Sequence, residues 1–220
     1  MAFLLSAPPR EPFLHAPASV LWLIGVLVAV YLLSVYGPLP DSFWDRAVFV
    51  PERLAEGFSL AGAWPLAGHM FLHAGALHLI MNCLALLAFG PPVARRYGGG
   101  WFLALFLLSG VAGALTHLAF HWGASEGVVG ASGGISGLMG AALRLIRWPG
   151  QANSGRPIPV FSRPILSASL ALVVLNAIVG WTGFEGQVVA WQAHIGGYVF
   201  GLIAVEAIDR LRFPRLYSAG

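Results

Sequence analysis

The sequence predicts an all-α, polytopic membrane protein with six transmembrane helices, and three observations predict it. Of 220 residues, 58% are apolar and only 10% are charged, against roughly 25% charged in soluble globular domains. The charges are spaced so that uncharged stretches run over 12–40, 57–94, 97–125, 127–143, 164–184 and 186–205. All 12 basic residues are Arg, and all but Arg46 and Arg53 fall on the tails and on alternate connections between those stretches, as the flanking charges of membrane helices do. The net charge of +3 is too small and too dispersed for a nucleic-acid groove, which needs a clustered basic face. A single cysteine, Cys83, excludes an internal disulfide framework and any multi-cysteine zinc site.

A helix needs about 20 apolar residues to cross the ~30 Å hydrocarbon core, which places spans near 18–36, 67–89, 101–121, 131–147, 165–182 and 188–208. The first run lacks a basic leader and a small-x-small cleavage site, so its span is expected to stay in the protein. The second stretch is too long for one helix and too short for two. Its beginning, 57–65, therefore reads as a loop dipping into the interface. The connection 90–100 carries Arg95 and Arg96, and 148–163, rich in Gly, Asn, Ser and Pro, is a flexible link. Only Arg46 and Arg53 fall on one side of this topology. The remaining arginines, from Arg10 to Arg215, put both tails on the cytoplasmic face. Asp41, Asp45, Glu52, Glu56, Glu126 and Glu185 fall outside. No internal repeat and no soluble domain is evident.

Polar residues that interrupt apolar helices point to function, because such groups are costly in lipid. Span two holds His69, His73, His78 and Asn82; span four opens on Gly130-Ala-Ser132-Gly-Gly134; span six holds His194. Glu206, near the end of span six, is the one carboxylate within a span, so no acid is at hand for a buried Ser-His-Asp triad. Gly130 to Gly134 matches the G-x-S-x-G elbow of soluble hydrolases, but no strand precedes it as that turn requires. What remains is a serine in the first turn of a short helix, flanked by glycines. Ser and Gly are also routine packing residues between membrane helices.

His194 shifts that balance. Gly197 and Gly201 follow it at i+3 and i+7 on one face, and Gly133, Gly137 and Gly140 form a matching stripe on span four. Two small-residue faces suit a tight crossing, which would bring His194 Nε2 within reach of Ser132 Oγ. Serine needs an adjacent base to become a nucleophile, and histidine titrates in the range to serve. His78 and Asn82, at i and i+4, share a helix face and could donate to an acyl-transfer oxyanion. The backbone N–H groups opening span four would join them. A metal site is the competing use of His69, His73 and His78, or of His117 and His121. No nearby acid completes a coordination set, so no metal is expected.

These residues carry a resemblance. H-x3-H-x4-H-x3-N in span two, GASG with GLMG behind it in span four, and AHxGGxxxG in span six resemble the rhomboid family of intramembrane serine proteases. The likeness runs over about 18–208, so the chain is expected to be one rhomboid-like membrane domain, a bundle with a short central helix four. It implies a Ser-His dyad without an acid, Ser132 and His194, with oxyanion donors His78, Asn82 and the Ser132 backbone. His69 and His73 would be structural or oxyanion-adjacent. The first loop, 37–66, would be half embedded, and substrate would enter between spans two and five, span five being the lateral gate. Three positions depart from the family pattern: Trp64-Pro65 where Trp-Arg is common, Ala94 where Glu is common, and Ser136 where an aromatic ring often stacks on the histidine. Ser136 could hydrogen-bond His194 instead.

The resemblance implies peptide-bond hydrolysis in or near transmembrane segments of membrane-protein substrates, with no cofactor and no nucleic acid. The setting would be a multi-pass protein of a bacterial inner membrane with both termini cytoplasmic. A catalytically silent relative that binds client transmembrane helices is the alternative, although such proteins generally lose the serine or histidine. A small transporter is disfavoured by the lack of an inverted repeat and of mid-span carboxylates.

Overall fold

A computed structural model describes residues 16–57, 63–146, 148, 155–183 and 189–218. Its regular structure is helical: α1 (Ala18–Tyr36), the short α2 (Asp41–Trp44), α3 (Pro51–Ala55) and α4 (Pro65–Gly68), then α5 (Ala76–Tyr97), α6 (Gly99–Phe120), α7 (Ser132–Leu145), α8 (Arg163–Thr182) and α9 (Trp191–Arg212). Part of the expected interfacial loop (58–62), residue 147 ending span four, residue 188 opening span six, and the positions of Arg10, Arg147 and Glu185 lie outside the described residues.

The centre of the bundle is α6, α7 and α9, packed backbone to backbone. A Cβ on Gly134 would lie 2.7 Å from the Phe106 carbonyl oxygen, and one on Gly137 2.9 Å from that of Gly197. Gly197 in turn faces the Gly133 carbonyl, and Gly201 that of Gly137. The constant offset of these pairs makes α7 and α9 parallel, with both amino-terminal ends together. Small residues permit such an approach, and dispersion contacts and close packing then hold it in lipid.

The outer helices touch little protein. In α1 only Val20, Leu23 and Leu27 are buried, and in α8 only Ile165 and Asn176. α1, α5, α6 and α8 are long and apolar enough to cross a membrane. α7 and α9 do not meet that test for different reasons. α7 has 14 residues, about 21 Å of helix, and is buried over most of its length. α9 carries Gln192, His194, Glu206 and Asp209, which its protein neighbours shield.

Two expected boundaries are corrected. The stretch 67–89 is not one helix: α4 passes into a 3-10 turn at His69–Phe71, extended backbone follows at Leu72, and α5 begins only at Ala76. His69 and His73 therefore precede the helix that carries His78 and Asn82. The break lets the His69 carbonyl accept the Gly130 N–H at 2.9 Å, a contact outside its own segment. The connection 90–100 is also mostly helical, since α5 runs through Pro91 and Pro92 to Tyr97. Burial of Gly90, Pro91, Val93, Ala94 and Tyr97 offsets the hydrogen bonds that proline removes.

Charges tie the far end together. Asp209, fully buried, accepts from Arg96 at 2.6 Å and from the hydroxyls of Tyr97 and Tyr217, each at 2.9 Å. Arg144 donates to the Ile158 and Leu202 carbonyls and pairs with Glu206 at 2.7 Å. A buried charge is tolerable only when paired and hydrogen-bonded in this way.

Candidate active site

The backbone fixes Ser132 before any side chain is considered. The first loop reaches across to the segment ahead of α7: the N–H and carbonyl of Phe49 exchange hydrogen bonds with Val128, at 3.1 and 2.8 Å, and Glu52 N–H donates to the Ala124 carbonyl at 3.0 Å. Gly130 then turns with φ of +123°, a conformation open to glycine and strained for other residues. A Cβ there would also sit 2.8 Å from His78 Nε2 and 3.8 Å from Ser132 Oγ. Glycine at 130 thus leaves the space in which the His78 ring stands beside Ser132.

Ser132 is the first residue of α7. The N–H groups of a first helical turn have no partner within the helix and carry the positive end of its dipole. Across the crossing, Ser132 Oγ lies 2.8 Å from His194 Nε2, within hydrogen-bond distance. His194 lies in the first turn of α9, so the two helix amino termini converge on one point. A hydroxyl, an imidazole within hydrogen-bond reach and a turn of N–H donors are groups that can together carry out acyl transfer.

The other ring nitrogen of His194 meets Asn176 of α8, with Nδ1 2.7 Å from Oδ1. Sequence reasoning missed this residue. The signal was present, since an asparagine within the apolar run LALVVLNAIVG is the kind of intramembrane polar group that calls for a partner. With both ring nitrogens of His194 engaged, the expected bond from Ser136 is corrected: Ser136 is buried on α7 but holds neither nitrogen.

The remaining candidates divide. Asn82 is buried on α5 and donates one amide hydrogen to the His78 carbonyl at 2.9 Å, which leaves its second N–H for another acceptor. His78 precedes it by one turn, and its ring lies 5.1 Å from that of His73. His69 donates Nδ1–H to the Pro65 carbonyl at 2.8 Å, so with its carbonyl on Gly130 it works as a brace. Neither ring nitrogen of His73 has a hydrogen-bond partner among the described residues. His117, in the last turn of α6, and His121, just past its end, stack at 4.3 Å. Among the described residues no three His, Cys, Asp or Glu side chains converge as a metal site.

Comparison with known proteins meets this geometry. The family model described as Rhomboid domain matches residues 61–208, which takes in Ser132, His194, His78, Asn82 and Asn176. The chain is 34% identical over 145 residues to "Rhomboid protease GluP" of Bacillus subtilis, a match covering 66% of this chain and 26% of that protein. It is 31% identical over 214 residues to "Rhomboid protease AarA" of Providencia stuartii, covering 89% and 74% respectively. With "Rhomboid protein 1, mitochondrial" of Saccharomyces cerevisiae it shares 29% identity over 222 residues, covering 97% and 61%. The chain thus spans about a quarter of the Bacillus protein and most of the Providencia one.

Proposed function

The chain belongs to the rhomboid family, and from that premise we propose that it is an intramembrane serine protease acting through a Ser132–His194 dyad. The observation that carries this reading is the 2.8 Å contact between Ser132 Oγ and His194 Nε2. As Oγ attacks a peptide carbonyl, its proton passes to Nε2. His194 then returns that proton to the departing amine, leaving an acyl-ester on Ser132. Water, deprotonated by the same nitrogen, hydrolyses the ester and restores the hydroxyl. The oxyanion of each addition takes hydrogen bonds from the Ser132 N–H, the free amide hydrogen of Asn82 and His78.

The protein has one membrane domain with a core of about 18–208, and its six spans are α1, α5, α6, α7, α8 and α9. The short α7 is supported by protein on its flanks, so its serine sits below the surface of the bilayer. Arginine asymmetry supports both tails on the cytoplasmic side, and we take the membrane to be a bacterial inner membrane. Substrates are transmembrane segments that enter between α5 and α8. A helix hides its carbonyls in its own hydrogen bonds, so the segment must unwind locally before Ser132 reaches one. The test is cleavage of a fluorogenic single-span peptide in proteoliposomes by the wild type and by Ser132→Ala. We expect cleavage by the first only; undiminished cleavage by the second overturns the proposal.

A further inference from the structure

We propose that Asn176 is a positioning residue for His194, holding the imidazole in the tautomer that the reaction requires; this rests on the Ser132–His194 reading above. The amide of Asn176 is oriented from one turn earlier on α8. Asn176 Nδ2 lies 2.9 Å from the Leu172 carbonyl oxygen. A carbonyl oxygen can only accept, so the amide nitrogen must face it, and the amide orientation follows. The other terminus is therefore Oδ1, and Oδ1 also can only accept. At 2.7 Å from it, His194 Nδ1 must carry the proton. A neutral imidazole with hydrogen on Nδ1 has its lone pair on Nε2, the nitrogen that faces Ser132 Oγ. One backbone carbonyl of α8 thus decides which nitrogen of a histidine on α9 is the base.

Asn176 also stabilises what forms next. When Nε2 takes the serine proton the ring becomes a cation, and Oδ1 faces the developing charge through Nδ1–H. An aspartate in this position holds a hydrolytic histidine in its working tautomer, and disturbing that tautomer costs about 10⁴-fold in turnover. A neutral amide gives less electrostatic support, so a loss of about 10- to 1000-fold is expected here.

The placement has a second consequence. Asn176 and Ile165 are the buried residues of α8, and near Ile165 the Ser169 hydroxyl meets that of Tyr198 at 2.8 Å. The helix is thus tethered at two levels, and the one nearer the dyad is the hydrogen bond to His194 itself. Displacing this part of α8 releases the tautomer lock.

The experiment uses the full chain in proteoliposomes, with Asn176→Leu, Asn176→Ala and Asn176→Asp compared with wild type. kcat and KM are measured on the fluorogenic single-span peptide, and the rate of Ser132 labelling by a fluorophosphonate gives a second readout per folded molecule. Leu and Ala should lower kcat and the labelling rate together by about 10- to 1000-fold, with KM within about threefold. Asp retains an acceptor for Nδ1–H and should recover most of both rates. Leu or Ala labelled and turning over at the wild-type rate overturns the proposal. So does an Asp variant no better than Leu at equal folded fraction, which would leave Asn176 as a helix tether alone. Cleavage surviving in Ser132→Ala refutes the dyad itself, and the role of Asn176 falls with it.

Discussion

Gly140→Ala tests whether the glycine crossing of α7 and α9 sets the dyad spacing. Gly140 lies eight residues beyond Ser132, about 12 Å along α7, so it touches none of the reacting atoms. A Cβ there would stand 2.5 Å from the Tyr198 carbonyl oxygen, 3.1 Å from Leu202 N and 3.3 Å from Leu202 Cγ. The first two are backbone atoms and cannot rotate away. Ordinary contacts of a methyl carbon need about 3.5 Å, so the helices must part by about 1 Å. Overpacking of this kind costs about 1–3 kcal/mol, which for a chain of this size lowers the melting temperature by roughly 2–12 °C. If the shift runs rigidly to the amino-terminal end, the 2.8 Å contact of Ser132 with His194 opens to about 3.8 Å, too long for a hydrogen bond. Complete loss of a positioned base costs about 10²–10⁴-fold. Helices that regain contact part of the time lose less, so kcat should fall about ten- to a hundredfold. The assay is kcat on the fluorogenic peptide per folded molecule, with fluorescence-detected melting alongside. Gly25→Ala is the control, because nothing lies within 4 Å of that added carbon. A lowered melting temperature with kcat unchanged would show that the crossing does not set the dyad distance, and the reasoning would be wrong.

Ser132→Ala, His194→Ala and the double variant should each lose cleavage to the same residual rate with insertion intact, because groups acting as one unit are not additive; equal, independent losses would refute the dyad. On a Cys83-free background, a cysteine placed at position 45 should react with an impermeant maleimide from outside, and one at position 152 only after permeabilisation, as the arginine distribution requires. The reverse pattern would invert the topology. Asn82→Ala should lower kcat about ten- to a thousandfold with little change in KM, since an oxyanion contact strengthens only as charge develops. A lower melting temperature with kcat per folded molecule preserved would instead make Asn82 a packing residue.

The long helices were legible because hydropathy and charge gaps are one-dimensional signals. α1 covers the expected 18–36, and α6 and α8 differ from expectation by a residue or two at their ends. The glycine stripes were legible for the same reason: Gly133, Gly137, Gly197 and Gly201 repeat at helical spacing, and the structure interleaves them. What periodicity could not show was the break before α5. The run HMFLHAGALHLI is apolar enough to continue as helix, yet it breaks at Leu72, and the His69 carbonyl meets Gly130 from far along the chain. Asn176 was hidden by similar physics. Its meaning lies in a contact with His194 on another helix, and no spacing rule joins positions 176 and 194. The reach of α5 through Pro91 and Pro92 was missed because proline usually ends a helix, whereas here its far turns are fixed by Tyr97 and Arg96 on Asp209.

Two kinds of support meet at the candidate site, and they differ in stiffness. Ser132 and His194 stand on helices whose backbones touch through glycine, and a backbone contact has no rotamers through which to yield. Their separation is therefore a property of the bundle core. The groups that would make the pair reactive come from its flanks: His78 and Asn82 from α5, Asn176 from α8. α8 exposes Leu170, Val174 and Ile178 on its outer surface and is tethered to α9 through few buried groups. On the proposed path, a transmembrane segment arriving between α5 and α8 presses on both flanks at once. It can then disturb the lock on His194 and the oxyanion donors while leaving the serine-to-histidine distance unaltered. Substitutions in the glycine stripes should therefore act on the chemical step for every substrate alike. Substitutions on the facing surfaces of α5 and α8 should act differently on different substrates, because there the substrate helix is itself part of the packing that holds Asn176 and Asn82 in place.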